Sequence, residues 1–145
     1  MIVYFDTSAV VPLLIEERGS VLAGRLWESA DRRVSSRLTY VETAAALAMA
    51  QRLGRVSEDE RAASWSTFVD IWPDVDVVEL TPEIAALAAE LAAELGLRGY
   101  DAVQCAIAVA MNDADLVAAT GDCRVFDAWR ALQTAVVDTN QVVPE

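Results

Sequence analysis

The 145-residue sequence contains no histidine and no lysine, and its 11 basic residues are all arginine. This absence excludes lysine Schiff-base chemistry, the phosphate-binding loop lysine, and nucleophilic sites that pair serine or cysteine with histidine. The two cysteines, Cys105 and Cys123, lack a CxxC spacing, and without histidine they cannot complete a zinc site. We expect both to be reduced thiols in a cytoplasmic protein.

Glycine and proline are scarce, with 6 and 4 residues, which excludes collagen-like and low-complexity chains. The longest apolar run, residues 102–111 with Gln104 inside it, is too short to span a bilayer. No basic segment precedes an apolar stretch at the amino terminus, so no signal peptide is expected. Because 54% of the residues are apolar, we expect a single globular domain over residues 1–145.

Acidic residues outnumber basic ones by 23 to 11, which gives a formal charge of -12 and a pI near 4.3. Such a charge repels a polyanion at long range. Any contact with nucleic acid must therefore be local or mediated by cations.

The pattern of apolar residues predicts strands that alternate with helices. Strands are predicted at residues 2–5, 34–36, 76–80, 116–119 and 136–137. A short helix is expected after Asp6, followed by helices at 20–30, 38–53, 57–70, 81–95, 100–111 and 122–132. This alternation predicts right-handed crossovers and an α/β fold, a three-layer α/β/α sandwich around a short, mainly parallel sheet. The polar tail, residues 138–145, is expected to be loosely held.

Two acidic residues follow predicted strands directly. Asp6 comes after the first strand, and Asp122 follows the strand at 116–119. Ligand sites in parallel sheets lie beyond the carboxyl ends of the strands, which makes both residues candidates for a shared site. Either could instead serve only as a helix N-cap.

Two further acids lie on predicted helices. Glu42 has apolar neighbours at helical spacing, where an unpaired carboxylate is costly, so it either pairs with Arg37 or Arg52 or belongs to a site. Asp101 opens the most apolar helix of the chain, where its simpler role is to interact with the helix dipole.

The four carboxylates would repel one another if the fold brings them together, so at least one should have a raised pKa in the absence of a cation. A divalent metal would supply the missing charge. Since no histidine or cysteine cluster is present, hard oxygen ligands favour Mg²⁺, for which Mn²⁺ can substitute. The hydroxyls of Thr7, Ser8 and Thr120 are candidates to orient these carboxylates, although local helix capping would also explain them.

Four segments of the chain form a longer pattern. They are Phe5 to Ala9, Glu42 within its helix, Leu97 to Ala106, and Ala119 to Asp122. In order and spacing they resemble the PIN domain, in the form of VapC-type toxins of toxin-antitoxin pairs, over essentially the whole chain. The one departure is that residues 131–135 lack the glycine that usually precedes the family's last strand, which weakens the prediction of that strand.

The resemblance implies a function and partners. The acidic metal-binding positions of the family would be Asp6, Glu42, Asp101 and Asp122, and the implied activity is Mg²⁺-dependent endoribonuclease cleavage of structured RNA such as tRNA or rRNA. It also implies a homodimer and a cognate VapB-like antitoxin, whose basic segment would suit the acidic surface.

Two other functions stay open at the level of sequence. In a haloacid-dehalogenase-like phosphatase Asp6 would be the nucleophile, but that chemistry resembles an Asp-x-Asp opening and expects a lysine, whereas here Ser8 takes the second place. A non-catalytic PIN-like binding module is the other alternative, and the four intact acids argue against it.

Arginines and tryptophans suggest weaker candidates. The arginines beside the second strand, Arg32, Arg33 and Arg37, either meet RNA phosphates or form a solvated edge, and the second interpretation is favoured. The tryptophans either stack on bases or anchor a core or dimer, and we again favour the second; they are Trp27, Trp65, Trp72 and Trp129.

Overall fold

A five-stranded sheet forms the centre of the computed structural model, which describes residues 1–144. Its strands are β1 (Ile2–Phe5), β2 (Arg32–Ser36), β3 (Val75–Val78), β4 (Leu116–Thr120) and β5 (Val136–Asp138). They lie in the order β3-β2-β1-β4-β5, and all four neighbouring pairs are parallel. The predicted parallel α/β sheet is confirmed. Strand β2 begins two residues earlier than predicted because Arg32 and Arg33 pair with Ile2 and Val3.

Seven helices connect and cover the strands in the described part of the chain. They are α1 (Thr7–Val10), α2 (Ser20–Ser29), α3 (Arg37–Arg52), α4 (Glu58–Ile71), α5 (Pro82–Leu95), α6 (Gly99–Met111) and α7 (Cys123–Ala131). The predicted capping box is present, since Ser57 and Glu60 each accept a hydrogen bond from the other's backbone N–H at 3.0 Å. Across residues 1–144, none of the helices has both the length and the apolar character needed to cross a membrane.

Strand β1 is buried on both faces, and its alternating side chains divide the core into two layers. Ile2 and Tyr4 pack with residues of α5, α6 and α7, such as Ile107. Val3 and Phe5 pack on the opposite face with residues of α1, α2 and α4. The sheet is therefore covered on both sides, as the three-layer prediction requires.

The tryptophans take part in this packing, which confirms the core interpretation. Trp129 is fully buried and meets Tyr4 edge-on, with ring centroids 5.8 Å apart. The others pack against the second layer: Trp27 on Phe5, and Trp65 and Trp72 on Tyr40 and Phe68. Their aromatic faces are engaged inside the protein, so they are poor candidates for stacking on bases.

The prediction that residues 138–145 are loosely held is wrong for Asp138 to Asn140. Asp138 ends β5, the Thr139 N–H donates to Thr120 O at 2.8 Å, and Asn140 Nδ2 donates to Gly121 O at 2.9 Å. The strand predicted at residues 136–137 therefore extends to Asp138, and the polar residues after it are held by hydrogen bonds that their composition does not reveal. Glu145, the last residue of that prediction, lies outside the described residues.

The turn before β5 explains how the last strand forms without the expected glycine. Gln133 follows α7 and adopts a left-handed conformation, with φ of 60°. Its N–H donates to Arg130 O at 3.0 Å, and the Thr134 N–H donates to Trp129 O at 2.9 Å. This pair of hydrogen bonds is the Schellman motif, in which glycine normally supplies the left-handed residue. Gln133 therefore adopts the left-handed conformation that a glycine would adopt with less strain.

Candidate active site

The four acids singled out from the sequence line one cavity of about 360 Å³ at the carboxyl edge of the sheet. Asp6 follows β1, and Asp122 lies two residues beyond β4. Glu42 reaches the cavity from the second turn of α3, which continues directly from β2, and Asp101 reaches it from the first turn of α6. The topology thus brings together residues that are up to 116 positions apart in the chain.

Hydroxyl groups hold the Asp6 carboxylate from both sides. Ser8 Oγ donates to Asp6 Oδ1 at 2.6 Å, and Thr120 Oγ1 donates to Asp6 Oδ2 at 2.7 Å. The Ala9 N–H also donates to Oδ1, at 3.2 Å, which makes Asp6 the N-cap of α1. Asp6 therefore both caps a helix and lines the cavity.

Glu42 is held through only one of its two carboxylate oxygens. Thr7 Oγ1 donates to Glu42 Oε1 at 3.1 Å, and Gln104 Nε2 donates to the same oxygen at 2.9 Å. Within residues 1–144, Oε2 receives no hydrogen bond, which leaves it available to a ligand in the cavity. Among the described residues Glu42 forms an ion pair with neither of the arginines considered for it: Arg37 pairs with Glu79 instead, and Arg52 makes no ion pair with Glu42.

Gln104 is a site residue that the sequence reasoning missed. It lies one helical turn after Asp101 and is 2% exposed. Its Oε1 accepts the hydroxyl of Tyr4 at 2.5 Å, and its Nε2 also donates to Thr39 Oγ1 at 3.0 Å. The available signal was that Gln104 is the one polar residue in the apolar run from Ala102 to Met111.

Arg98 is the only basic side chain that lines the cavity within the described residues. Its Nε donates to Asp101 Oδ2 at 3.0 Å, and its Nη2 lies 3.8 Å from Asp122 Oδ2. The other oxygen of Asp122 caps α7 by accepting from the Arg124 N–H at 2.8 Å. Arg98 therefore supplies the counter-charge for two of the four acids, a role that sequence reasoning had not assigned to it.

Two of the acids have perturbed proton affinities. Burial raises the pKa of Asp6 to about 7, against the lowering effect of the hydrogen bonds from Ser8 and Thr120. Burial also raises the pKa of Glu42, with the hydrogen bonds from Gln104 and Thr7 opposing it. The expected raised pKa is present, but its main cause is desolvation, and repulsion from neighbouring carboxylates is a smaller contribution.

The donors in the cavity suit a hard divalent cation, since they are carboxylate oxygens and include a buried carboxyl at Asp6. As they stand, however, no three or more acidic or cysteine side chains in residues 1–144 are arranged so that they could hold a metal ion. Asp101 and Asp122 are turned to the guanidinium of Arg98. The donor chemistry therefore fits a metal, while two of the four carboxylates are engaged by Arg98.

Asn140, from the segment that was predicted to be loosely held, also forms part of the cavity wall. Asn140 lines the cavity and is tied to Gly121 through its side-chain amide. A Cβ at Gly121 would lie 3.2 Å from Ser8 O and 3.1 Å from Thr139 Oγ1, which is closer than ordinary contact. Gly121 thus permits the close approach of β4, α1 and the segment after β5 around Asp6.

The arginines beside the second strand do not reach the cavity. Arg32 Nε pairs with Asp76 at 2.9 Å, and Arg37 Nη2 pairs with Glu79 at 2.5 Å. Arg33 Nε donates to the Trp27 carbonyl at 2.8 Å, and its guanidinium lies 5.0 Å from the centre of the Trp27 ring. These contacts support the interpretation as a solvated edge.

Known proteins resemble this chain in sequence and in structure. A family model described as PIN domain matches residues 3–128. Ribonuclease VapC45 and Ribonuclease VapC49, from two strains of Mycobacterium tuberculosis, are each 45% identical over 124 residues, which cover 86% of this chain and 86% of each relative.

Solved structures with lower sequence identity share the fold. M. tuberculosis VapC20, described as a sarcin-ricin loop cleaving toxin, has a TM-score of 0.66 at 21% identity, over 87% of this chain and 94% of its own. A toxin-antitoxin complex from Klebsiella pneumoniae has a TM-score of 0.68 at 18% identity, over 97% and 99% of the two chains. The extent of the family match and the identity to the VapC ribonucleases show that the chain belongs to the PIN domain family.

Proposed function

We propose that this protein is a Mg²⁺-dependent endoribonuclease and the toxin of a toxin-antitoxin pair. The observation that carries the proposal is the shared cavity of Asp6, Glu42, Asp101 and Asp122, in a chain 45% identical to two VapC ribonucleases. The sequence has no histidine and no lysine, so the carboxylates are the groups left to support hydrolysis of a phosphodiester.

The metal would be held by the four acids, with Mn²⁺ able to take the place of Mg²⁺. A divalent ion bound there would supply Lewis acidity, which lowers the pKa of water and neutralises charge on phosphate oxygens. The protein's contribution is to fix the donors: Ser8 and Thr120 hold Asp6, while Thr7 and Gln104 hold Glu42. Pre-arranged donors lose little conformational freedom when a ligand binds.

Structured RNA such as tRNA or rRNA is the proposed substrate. Because the chain carries a net charge of -12, its long-range field repels RNA, and only an RNA that presents an accessible single-stranded phosphodiester to the cavity offsets that repulsion. VapC20, which shares this fold, is described as a sarcin-ricin loop cleaving toxin.

Partners and location follow from the same proposal. A cognate VapB-like antitoxin with a basic segment would complement the acidic surface, and the toxin itself would form a homodimer. The site of action would be the cytoplasm. Both cysteines are unpaired thiols, as expected in a reducing compartment.

The competing functions fit the site less well. A phosphatase with Asp6 as nucleophile needs an exposed carboxylate, whereas Asp6 is 3% exposed and engaged by two hydroxyls. Cys105 is also disfavoured as a nucleophile, because burial raises the pKa of its thiol to about 12. A binding module without catalysis gives no reason to collect four carboxylates around one cavity.

Mapping of RNA ends tests the proposal. Total RNA is incubated with the purified protein in Mg²⁺ or in EDTA, and new 5′ ends are sequenced. We expect new ends at one or a few sites, only with Mg²⁺, and none with Asp101→Asn. Asp127→Asn is the matched control, since Asp127 is exposed on α7 and does not line the cavity.

Parallel assays separate the alternatives. Release of phosphate from a small phosphomonoester without RNA cleavage would support the phosphatase. Absence of both activities in every divalent metal tested would support the binding module.

A further inference from the structure

Resting on the proposed function, we infer that Arg98 is an exchangeable counter-ion: it pairs with Asp101 and Asp122 in the metal-free protein, is released when a divalent metal binds these carboxylates, and then contacts an RNA phosphate.

The first part follows from the position of the guanidinium. Arg98 lies between Asp101 in the first turn of α6, at 3.0 Å, and Asp122 at the N-cap of α7, at 3.8 Å. It is the one basic group that lines the cavity in residues 1–144. A cation that bridges two carboxylates occupies the electrostatic role that a divalent metal would take at the same oxygens.

Displacement accounts for the geometry of the acids. The four carboxylates share a cavity, yet no group of three in the described chain is arranged to hold a metal ion while Arg98 is paired. A doubly charged ion attracts two carboxylates more strongly than a singly charged guanidinium does at a similar distance. A bound metal would therefore take the place of Arg98 as the counter-charge of Asp101 and Asp122.

Little holds Arg98 in place apart from these two acids. Its side chain is 68% exposed, and although Arg98 is the N-cap residue of α6, it makes no side-chain capping hydrogen bond. The space beside the neighbouring residue Gly99 is open, since a Cβ at that position would meet no atom of another part of the chain within 4 Å. The guanidinium is therefore able to swing without disturbing the helix.

A released Arg98 would stand at the mouth of an otherwise acidic cavity. The guanidinium fork matches two oxygens of a phosphate group, and it carries its charge at every physiological pH. Although the chain carries a net charge of -12, the Arg98 guanidinium would be placed to contact a phosphate of the RNA strand next to the scissile bond. Arg32 and Arg37 are already paired with acids at the sheet edge.

Titration of the metal-free protein with Mn²⁺, followed by calorimetry, tests the exchange. Arg98→Gln should bind Mn²⁺ more tightly than the wild type, by about threefold or more, because its competitor is gone. Arg98→Lys, which keeps the positive charge, should stay near the wild-type affinity. Arg52→Gln controls for net charge, since Arg52 is exposed on α3 and does not line the cavity.

Binding of labelled total tRNA at saturating Mn²⁺, in a cleavage-deficient Glu42→Gln background, tests the second part. Arg98→Gln should weaken binding by about threefold to tenfold and lower the slope of log affinity against log salt by about one. Arg52→Gln should change neither quantity.

Two results overturn the inference: an Mn²⁺ affinity of Arg98→Gln that is unchanged or weaker, or a tRNA affinity that matches the control. If the wild type binds no Mn²⁺ at all, the proposed metal site is wrong, and the exchange of Arg98 for a metal is wrong with it. Circular dichroism confirms that each variant is folded.

Discussion

Gln104 Nε2 donates a hydrogen bond to Glu42 Oε1 at 2.9 Å, and through this contact the core of the protein sets the position of a carboxylate in the cavity. The opposite end of the same amide accepts the buried Tyr4 hydroxyl at 2.5 Å. Tyr4 belongs to the central strand β1 and packs on Trp129. Two successive hydrogen bonds thereby connect the central strand β1 to Glu42, a candidate metal-binding residue.

Replacement of Gln104 by methionine should lower metal affinity by about tenfold, since loss of an outer contact to a ligand typically costs about 10-fold to 100-fold. It should also destabilise the protein by about 1–3 kcal/mol, because the buried Tyr4 hydroxyl loses the oxygen to which it donates. The double variant Tyr4→Phe with Gln104→Met removes that hydroxyl. It should recover stability in urea unfolding but not Mn²⁺ affinity, and joint recovery of both would show that Gln104 acts only through the core.

Stability of the metal-free protein should depend on the protonation of Asp6. The pKa of Asp6 is about 7 in the folded protein, against an ordinary value of 3.8. At a pH between these two values, Asp6 is protonated in the folded state and ionised in the unfolded state. Stability therefore falls as the pH rises through this window. Between pH 5 and pH 8, this group alone should remove about 3 kcal/mol from the free energy of unfolding.

Asp6→Asn lacks the titrating group, so the difference in free energy of unfolding between this variant and the wild type should move in favour of the variant as the pH rises from 5 to 8. Urea unfolding in EDTA at several pH values measures the difference, and the other carboxyls titrate in both proteins and cancel. Parallel stability curves for the two proteins would contradict the raised pKa.

Gln133→Gly should stabilise the protein by up to about 1 kcal/mol, because glycine adopts the left-handed conformation without the cost that a side chain imposes. Gln133→Val should destabilise it, since a β-branched residue is the least tolerant of positive φ. Thermal unfolding of both variants measures the effect. Equal melting temperatures for the two would show that the turn is not strained.

Binding of RNA should be selective, so a generic RNA pool should be bound weakly. With a cleavage-deficient Asp101→Asn variant, filter binding of a random RNA pool should be weak with or without Mg²⁺, because the net charge of -12 repels RNA. Arg37→Gln should leave RNA binding unchanged, as Arg37 is already paired with Glu79. Tight binding to most sequences without metal would mean that a basic surface dominates.

Sequence patterns were sufficient to predict the sheet, because strands buried on both faces and capped helices have strong local signals, as at Ile2 to Phe5 and at Ser57. The acids were found because Asp6 and Asp122 end parallel strands and Glu42 has apolar neighbours. Arg98 and Gln104 were missed because their roles depend on the distance between α6 and residues far away in the chain. The ordered segment at Asp138 to Asn140 was missed because backbone pairing leaves no mark in a polar sequence.

The central claim, that Asp6, Glu42, Asp101 and Asp122 form one metal site, is tested most directly by equilibrium binding of Mn²⁺ to the metal-free protein, read by electron paramagnetic resonance. We predict saturable binding by the wild type and by the control Asp127→Asn, and a loss of at least about tenfold in affinity in Asp6→Asn, Glu42→Gln, Asp101→Asn and Asp122→Asn. Wild-type affinity in all four variants, or no saturable binding by the wild type, would contradict the account.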